Sequence, residues 1–156
     1  MPRYVALLRG IGPTNPKMRN ANLVAAIETI GAKDVRAVLT SGNIVFSSTT
    51  KSSAALEKKI ERALTTELEL TIDVFVRSEQ ALEAMIAQDP FPGKQHGKEH
   101  YLIVTFRKEG TPVFNCFDRR TLDGPAMMGE LLKQYGKHQT TRTWATIGKV
   151  LAKMRE

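Results

Sequence analysis

One cysteine, Cys116, stands in a chain of 156 residues. It can form no internal disulfide, and its place between Phe114 and Phe117 in a strand-like run predicts a small buried side chain rather than a reactive thiol. Long apolar runs are missing too. The longest, Tyr4 to Leu8, falls far short of the roughly 20 residues that cross a bilayer and is too short for a signal-peptide core. No membrane association and a cytoplasmic location are therefore expected. Also missing is any concentration of one charge. Lys and Arg total 23 against 16 Asp and Glu, a formal +7, but both halves share the excess, so a solvated basic surface is expected rather than a nucleic-acid-binding arm.

The usual catalytic and cofactor patterns are absent as well. No GxxxxGK[ST] loop occurs, and the dinucleotide fingerprint fails because Asn15 stands where Arg9-Gly10-Ile11-Gly12 would need a third glycine. Pro13 and Pro16 also withdraw two backbone donors from that loop. There is no GxSxG elbow. His96 and His100 are four apart, but they fall in the Gly- and Lys-containing loop 93–100 without completing ligands, which predicts solvent-exposed side chains. Neither a metal nor another cofactor is expected.

What is present is an ordered series of elements. Tyr4 to Leu8 lacks alternation, as does a strand buried on both faces. Asn20 is placed to cap a helix with Leu23, Ala26, Ile27 and Ile30 on one side, followed by Gly31. Val35 to Thr40 and Ile44 to Ser47 flank Ser41-Gly42-Asn43 as a hairpin. Ser52 or Ser53 begins a second helix carrying Leu56, Ile60, Ala63, Leu64 and Leu68, and Ile72 to Val76 reads as a strand. The order β-α-β-β-α-β predicts a ferredoxin-like, split βαβ antiparallel sheet with its helices on one face, over residues 1–77.

Residues 78–156 predict a second, smaller α+β unit. Ser78 caps a short helix with Leu82, Met85 and Ile86, which Asp89-Pro90-Phe91-Pro92 ends. Tyr101 to Phe106 and Val113 to Phe117 read as strands, and Pro125 opens a helix that stops at Gly136. Thr140 or Thr141 then caps a last helix with Trp144, Ile147, Leu151 and Met154 along one side, Trp144 acting as a buried anchor.

Three stretches, RYVALLRGI, DVRAVLTSGNIVFSS and TTRTWATIGKVLAKM, stand in this order. In them the chain resembles the bacterial domain of unknown function 1697 family. The resemblance implies two ferredoxin-like α+β units in one chain and supplies no reaction, cofactor or substrate. The chain departs from the family pattern at Pro13-Thr14-Asn15-Pro16, where members carry a Gly-Gly pair, and at Thr143 and Ala145, where asparagine is usual.

Topology selects a candidate site. In a split βαβ unit the first and second strands run parallel and end at one edge, which places Arg9 and Gly10 beside Ser41, Gly42 and Asn43. A planar cation, a hydroxyl and an amide in one place suit a carboxylate or phosphate, and Arg142 joins them if the last helix folds back over this edge. Arg9 has a structural alternative, tying the hairpin turn to a carbonyl or carboxylate. The preferred reading is a non-catalytic binding module for a small anionic ligand or partner. One alternative is an enzyme acting on a small anionic metabolite between the two units. The other is an RNA-binding module using Tyr4 and Phe46, although the RNP1 pattern is absent. Oligomeric state stays open.

Overall fold

The computed structural model describes residues 1–12 and 14–156. Pro13, expected to remove one donor from its loop, lies outside the described residues. The elements are β1 (Arg3–Leu8), α1 (Asn20–Glu28), β2 (Lys33–Ala37), β3 (Asn43–Ser47), α2 (Ser53–Leu68), β4 (Val74–Ser78), α3 (Glu79–Ala87), β5 (His100–Arg107), β6 (Val113–Asp118), α4 (Gly124–Tyr135), β7 (Gln139–Thr143) and α5 (Trp144–Met154). They make a mixed α+β fold with two antiparallel sheets, ordered β2-β3-β1-β4 and β6-β5-β7. The first has the strand order of the expected ferredoxin-like unit.

The unbroken apolar run of β1 is explained by burial on both sides. Tyr4, Ala6 and Leu8 face α1 and α2, where they pack with Leu23, Ile27, Leu56, Ile60 and Leu64. Val5 and Leu7 point the other way, with Val45 and Phe75, into a second core built from Leu82 and Met85 of α3, Val104 and Phe106 of β5 and the apolar stripe of α5. The three-stranded sheet thus lies under the first, and its far face carries α4 through Ile103, Met127 and Leu131. Along the β4 edge, the buried Glu57 carboxylate accepts from Arg77 at 3.2 Å, and Lys108 reaches Glu61 at 2.7 Å.

Several local expectations change. Asn20 is not a cap. Its Nδ2 donates to the Leu39 carbonyl at 2.8 Å, and Arg19 occupies the cap position without a side-chain bond. Ser52 and Ser78 cap α2 and α3 as expected. Thr140 and Thr141 belong to β7, and Thr143 caps α5. The stretch QTTRT has little apolar alternation, but its β-branched residues pair with β5, which no local pattern announces. Cys116 is exposed, because β6 is an edge strand.

Trp144 is half-buried at the first turn of α5, less enclosed than an anchor at the centre of a core. Its ring meets Phe91 and Phe114 edge-on at centroid distances of 5.4 and 6.0 Å. Replacing it with alanine is expected to lower stability by about 2–3 kcal/mol, below the cost of a fully buried aromatic; chemical denaturation measures this.

His96 is tucked in rather than solvent-exposed. Its Nδ1 accepts the Leu102 N–H at 3.1 Å, and the ring leans on Tyr101. Burial, helped by the Arg119 charge, holds its pKa below the ordinary 6.5. The folded state therefore prefers neutral His96, and protonation costs it the acceptor that Leu102 uses. Stability is expected to be full above pH 6.5 and to fall as the pH drops from there through the lowered folded pKa. A pH series of melting temperatures checks this, with His96→Gln flattening the change.

Candidate functional site

The ends of β1 and β3 meet β7 at one corner of the molecule. Gly42 sits in the hairpin turn at φ +79°, and a Cβ there would lie 2.6 Å from Ile11 Cγ1, so both conformation and space require glycine. Asn43 follows, 1% exposed, with Nδ2 donating to the Val38 carbonyl at 3.1 Å and to Ser41 Oγ at 3.0 Å. These bonds leave the amide oxygen directed at β7.

There it receives Arg142. Arg142 Nε donates to Asn43 Oδ1 at 2.5 Å, Nη1 to Thr140 Oγ1 and the Thr141 carbonyl at 2.7 Å each, and Nη2 to the carbonyls of Leu8 and Gly42 at 2.9 and 3.1 Å. All five N–H donors are used, and every acceptor is neutral. The residue is 9% exposed, and burial pushes its pKa down to about 10. It remains a cation at neutral pH, with no carboxylate among its hydrogen-bond partners.

Arg9 takes a different course from the one expected. Its side chain reaches β7, where Nη1 donates to the Gln139 carbonyl at 2.7 Å, while its backbone N–H bonds to the Asp73 carbonyl at 3.1 Å. Arg142, not Arg9, is the partner of Asn43, and it arrives on a strand rather than through a helix folding back. Arg9 is half-buried, and one hydrogen bond leaves most of its donor fork free. A cleft of about 350 Å³ opens here, bordered by Arg9, Gly10, Ser41, Met128, Gln139 and Arg142. Gly42 and Asn43 support it from beneath through Arg142.

Two features of this corner escaped the sequence. The Gln139 side chain is 1% exposed, and its Oε1 lacks a hydrogen-bond partner. Asp73 Oδ2 lies 2.9 Å from His138 Nδ1, whose side chain is otherwise exposed. These residues are 65 positions apart, so no local motif could join them. Among the described residues no three His, Cys, Asp or Glu side chains gather as a metal site. The RNA reading loses its platform, because Tyr4 and Phe46 are 3% and 2% exposed and stack on each other, facing α1 and α2. No helix among the described residues is long and apolar enough to cross a membrane.

Comparison with solved structures finds a conserved bacterial protein from Streptococcus pneumoniae with a TM-score of 0.81 and 20% sequence identity, the match covering 100% of this chain and 99% of that one. At that identity the likeness shows the fold alone. A search of curated proteins finds no match. Residues 1–124 match the family described as "Protein of unknown function (DUF1697)". With that match spanning β1 through β6, the chain belongs to the DUF1697 family.

Proposed function

We propose that the corner between β1, β3 and β7 is an anion-binding site, and that the chain acts as a binding module for a small ligand bearing a carboxylate or phosphate. One observation carries this reading: Arg142 is a buried cation whose five hydrogen bonds all go to neutral acceptors, so no hydrogen-bonded carboxylate neutralises it beside the cleft. Arg9 adds a second cation with free donors at the cleft wall. Arg142 supplies field and frame, and Arg9 supplies the contacts. Ser41 and Gly10 border the same space.

A second reading, turnover of a small anionic metabolite in this cleft, is favoured by the Asp73–His138 pair. Asp73 also accepts the Arg9 backbone N–H through its carbonyl, and His138 directly precedes Gln139. A histidine held by a carboxylate beside an anion-binding arginine is the arrangement a general base needs. The two readings separate on His138→Gln. In a binding module this variant retains anion affinity and nothing else is lost; in an enzyme it retains affinity and loses turnover.

Thermal-shift and calorimetric titration with inorganic phosphate, pyrophosphate and citrate test the site directly. At least one of these anions is expected to stabilise the protein, and Arg9→Ala is expected to abolish that effect while lowering the unliganded melting temperature only slightly. Unchanged anion binding in a folded Arg9→Ala variant overturns the site. Arg142→Met is expected to behave differently. It strands the acceptors of Asn43 and Leu8 and lowers stability on the order of 3 kcal/mol, as measured by urea denaturation.

A further inference from the structure

Strand β7 is the outer strand of its sheet, and its free edge runs along the cleft that Arg9 and Arg142 border. Which backbone groups point outward follows from two observations. The Arg119 N–H donates to the Glu99 carbonyl at 2.9 Å, extending the β5–β6 ladder and assigning the odd-numbered residues of β5 to β6. Val104 and Phe106 then bond their opposite numbers Arg142 and Thr140, and Gln139 and Thr141 turn away from β5. Independently, the Gln139 and Thr141 carbonyls accept from Arg9 and Arg142 at 2.7 Å each, which places both on the outer side.

In an antiparallel strand the N–H and C=O of one residue point the same way. The Thr141 N–H therefore also faces outward, between the two arginine-bound carbonyls. It has no hydrogen-bond partner among the described residues, and half-buried Thr141 borders the cleft. The arginines thus cover the acceptors of this edge and leave a donor open. A neighbouring peptide strand needs both; an anion needs only the donor.

We propose that the ligand of this corner is a small-molecule phosphate monoester, with one phosphate oxygen on the Thr141 N–H between Arg9 and Arg142. The inference rests on the anion-site reading above and goes further by assigning the anionic group. Every hydrogen bond that the Arg9 and Arg142 side chains make goes to a neutral acceptor, and the Asp73 carboxylate is engaged by His138 at 2.9 Å. Two cations flanking one donor match a group that concentrates two negative charges. A phosphate monoester comes close to that at neutral pH, and a carboxylate carries one. Arg142 has no donor left and acts through its charge, so the direct bonds come from Thr141 and Arg9. Ile11 and Met128 give the cleft apolar lining for the organic part, and its volume of about 350 Å³ suits a small molecule.

Calorimetric titration of the full chain at about pH 8 tests this with three probes that share one ring: phenyl phosphate, a dianion there, and the monoanions methyl phenyl phosphate and benzoate. Phenyl phosphate is expected to bind about tenfold or more tighter than either monoanion. Thr141→Pro removes the N–H at an edge position that tolerates proline, and is expected to weaken phenyl phosphate about tenfold. Thr141→Val keeps the N–H and is expected to keep the affinity. In the wild-type chain the Thr141 amide proton is expected to shift downfield as phenyl phosphate is added. Binding that Arg9→Ala abolishes, but in which a monoanion matches phenyl phosphate, leaves the anion site standing and overturns this inference. Unchanged affinity in a folded Thr141→Pro variant does the same, as does an unmoved Thr141 amide, which decides the matter even if that variant fails to fold. A phosphoserine peptide that binds more tightly than phenyl phosphate overturns the assignment to a small molecule. If none of the probes shows binding that depends on Arg9, the anion site falls and this inference falls with it.

Discussion

The structure hangs on one guanidinium. Arg142 comes from the sheet built by the second half of the chain and spends three of its five donors on the first half: the Leu8 carbonyl at the end of β1, the Gly42 carbonyl in the hairpin turn and the Asn43 amide. Removing water from a cation is costly unless hydrogen bonds replace it. Here five do, none from an acid, so the position of each acceptor matters more than its charge. Gly42 is held by space and φ, Asn43 by its bonds to Val38 and Ser41, and Leu8 by the centre of a sheet.

The apolar pattern accounts for the order of the first sheet and for which helix faces it buries. Leu23 and Ile27, then Leu56, Ile60 and Leu64, lie at helical spacing and all reach the same core. Local chemistry also announced two caps, Ser52 and Ser78. It failed where tertiary pairing decided the outcome. The threonine-rich β7 becomes a strand because β5 lies beside it, and Asn20 gives up a cap to reach Leu39 across the fold. Cys116, between two phenylalanines, is exposed for the same reason, since a flanking pattern cannot say whether a strand lies inside a sheet or at its edge.

The candidate site was legible in its location and illegible in its connections. Antiparallel topology alone brings the residues after β1 next to the hairpin turn, which is why Arg9, Gly10 and Ser41 border one cleft. Which arginine meets Asn43 depends on β7, 99 residues further along the chain. Gln139 and His138 were invisible for the same reason: each owes its position to a strand that propensity did not reveal.

The first strand and the last helix are bound to each other. Val5 and Leu7 rest on the core that Ile147, Val150 and Leu151 complete, and Arg3 donates to the Met154 carbonyl at 2.7 Å across 151 positions. During synthesis the upper face of β1 can be covered as soon as α1 and α2 have left the ribosome. Its lower face has to wait for α5. β1 thus stays incompletely covered until α5 has been made, and its apolar underside is what a nascent-chain chaperone would meet.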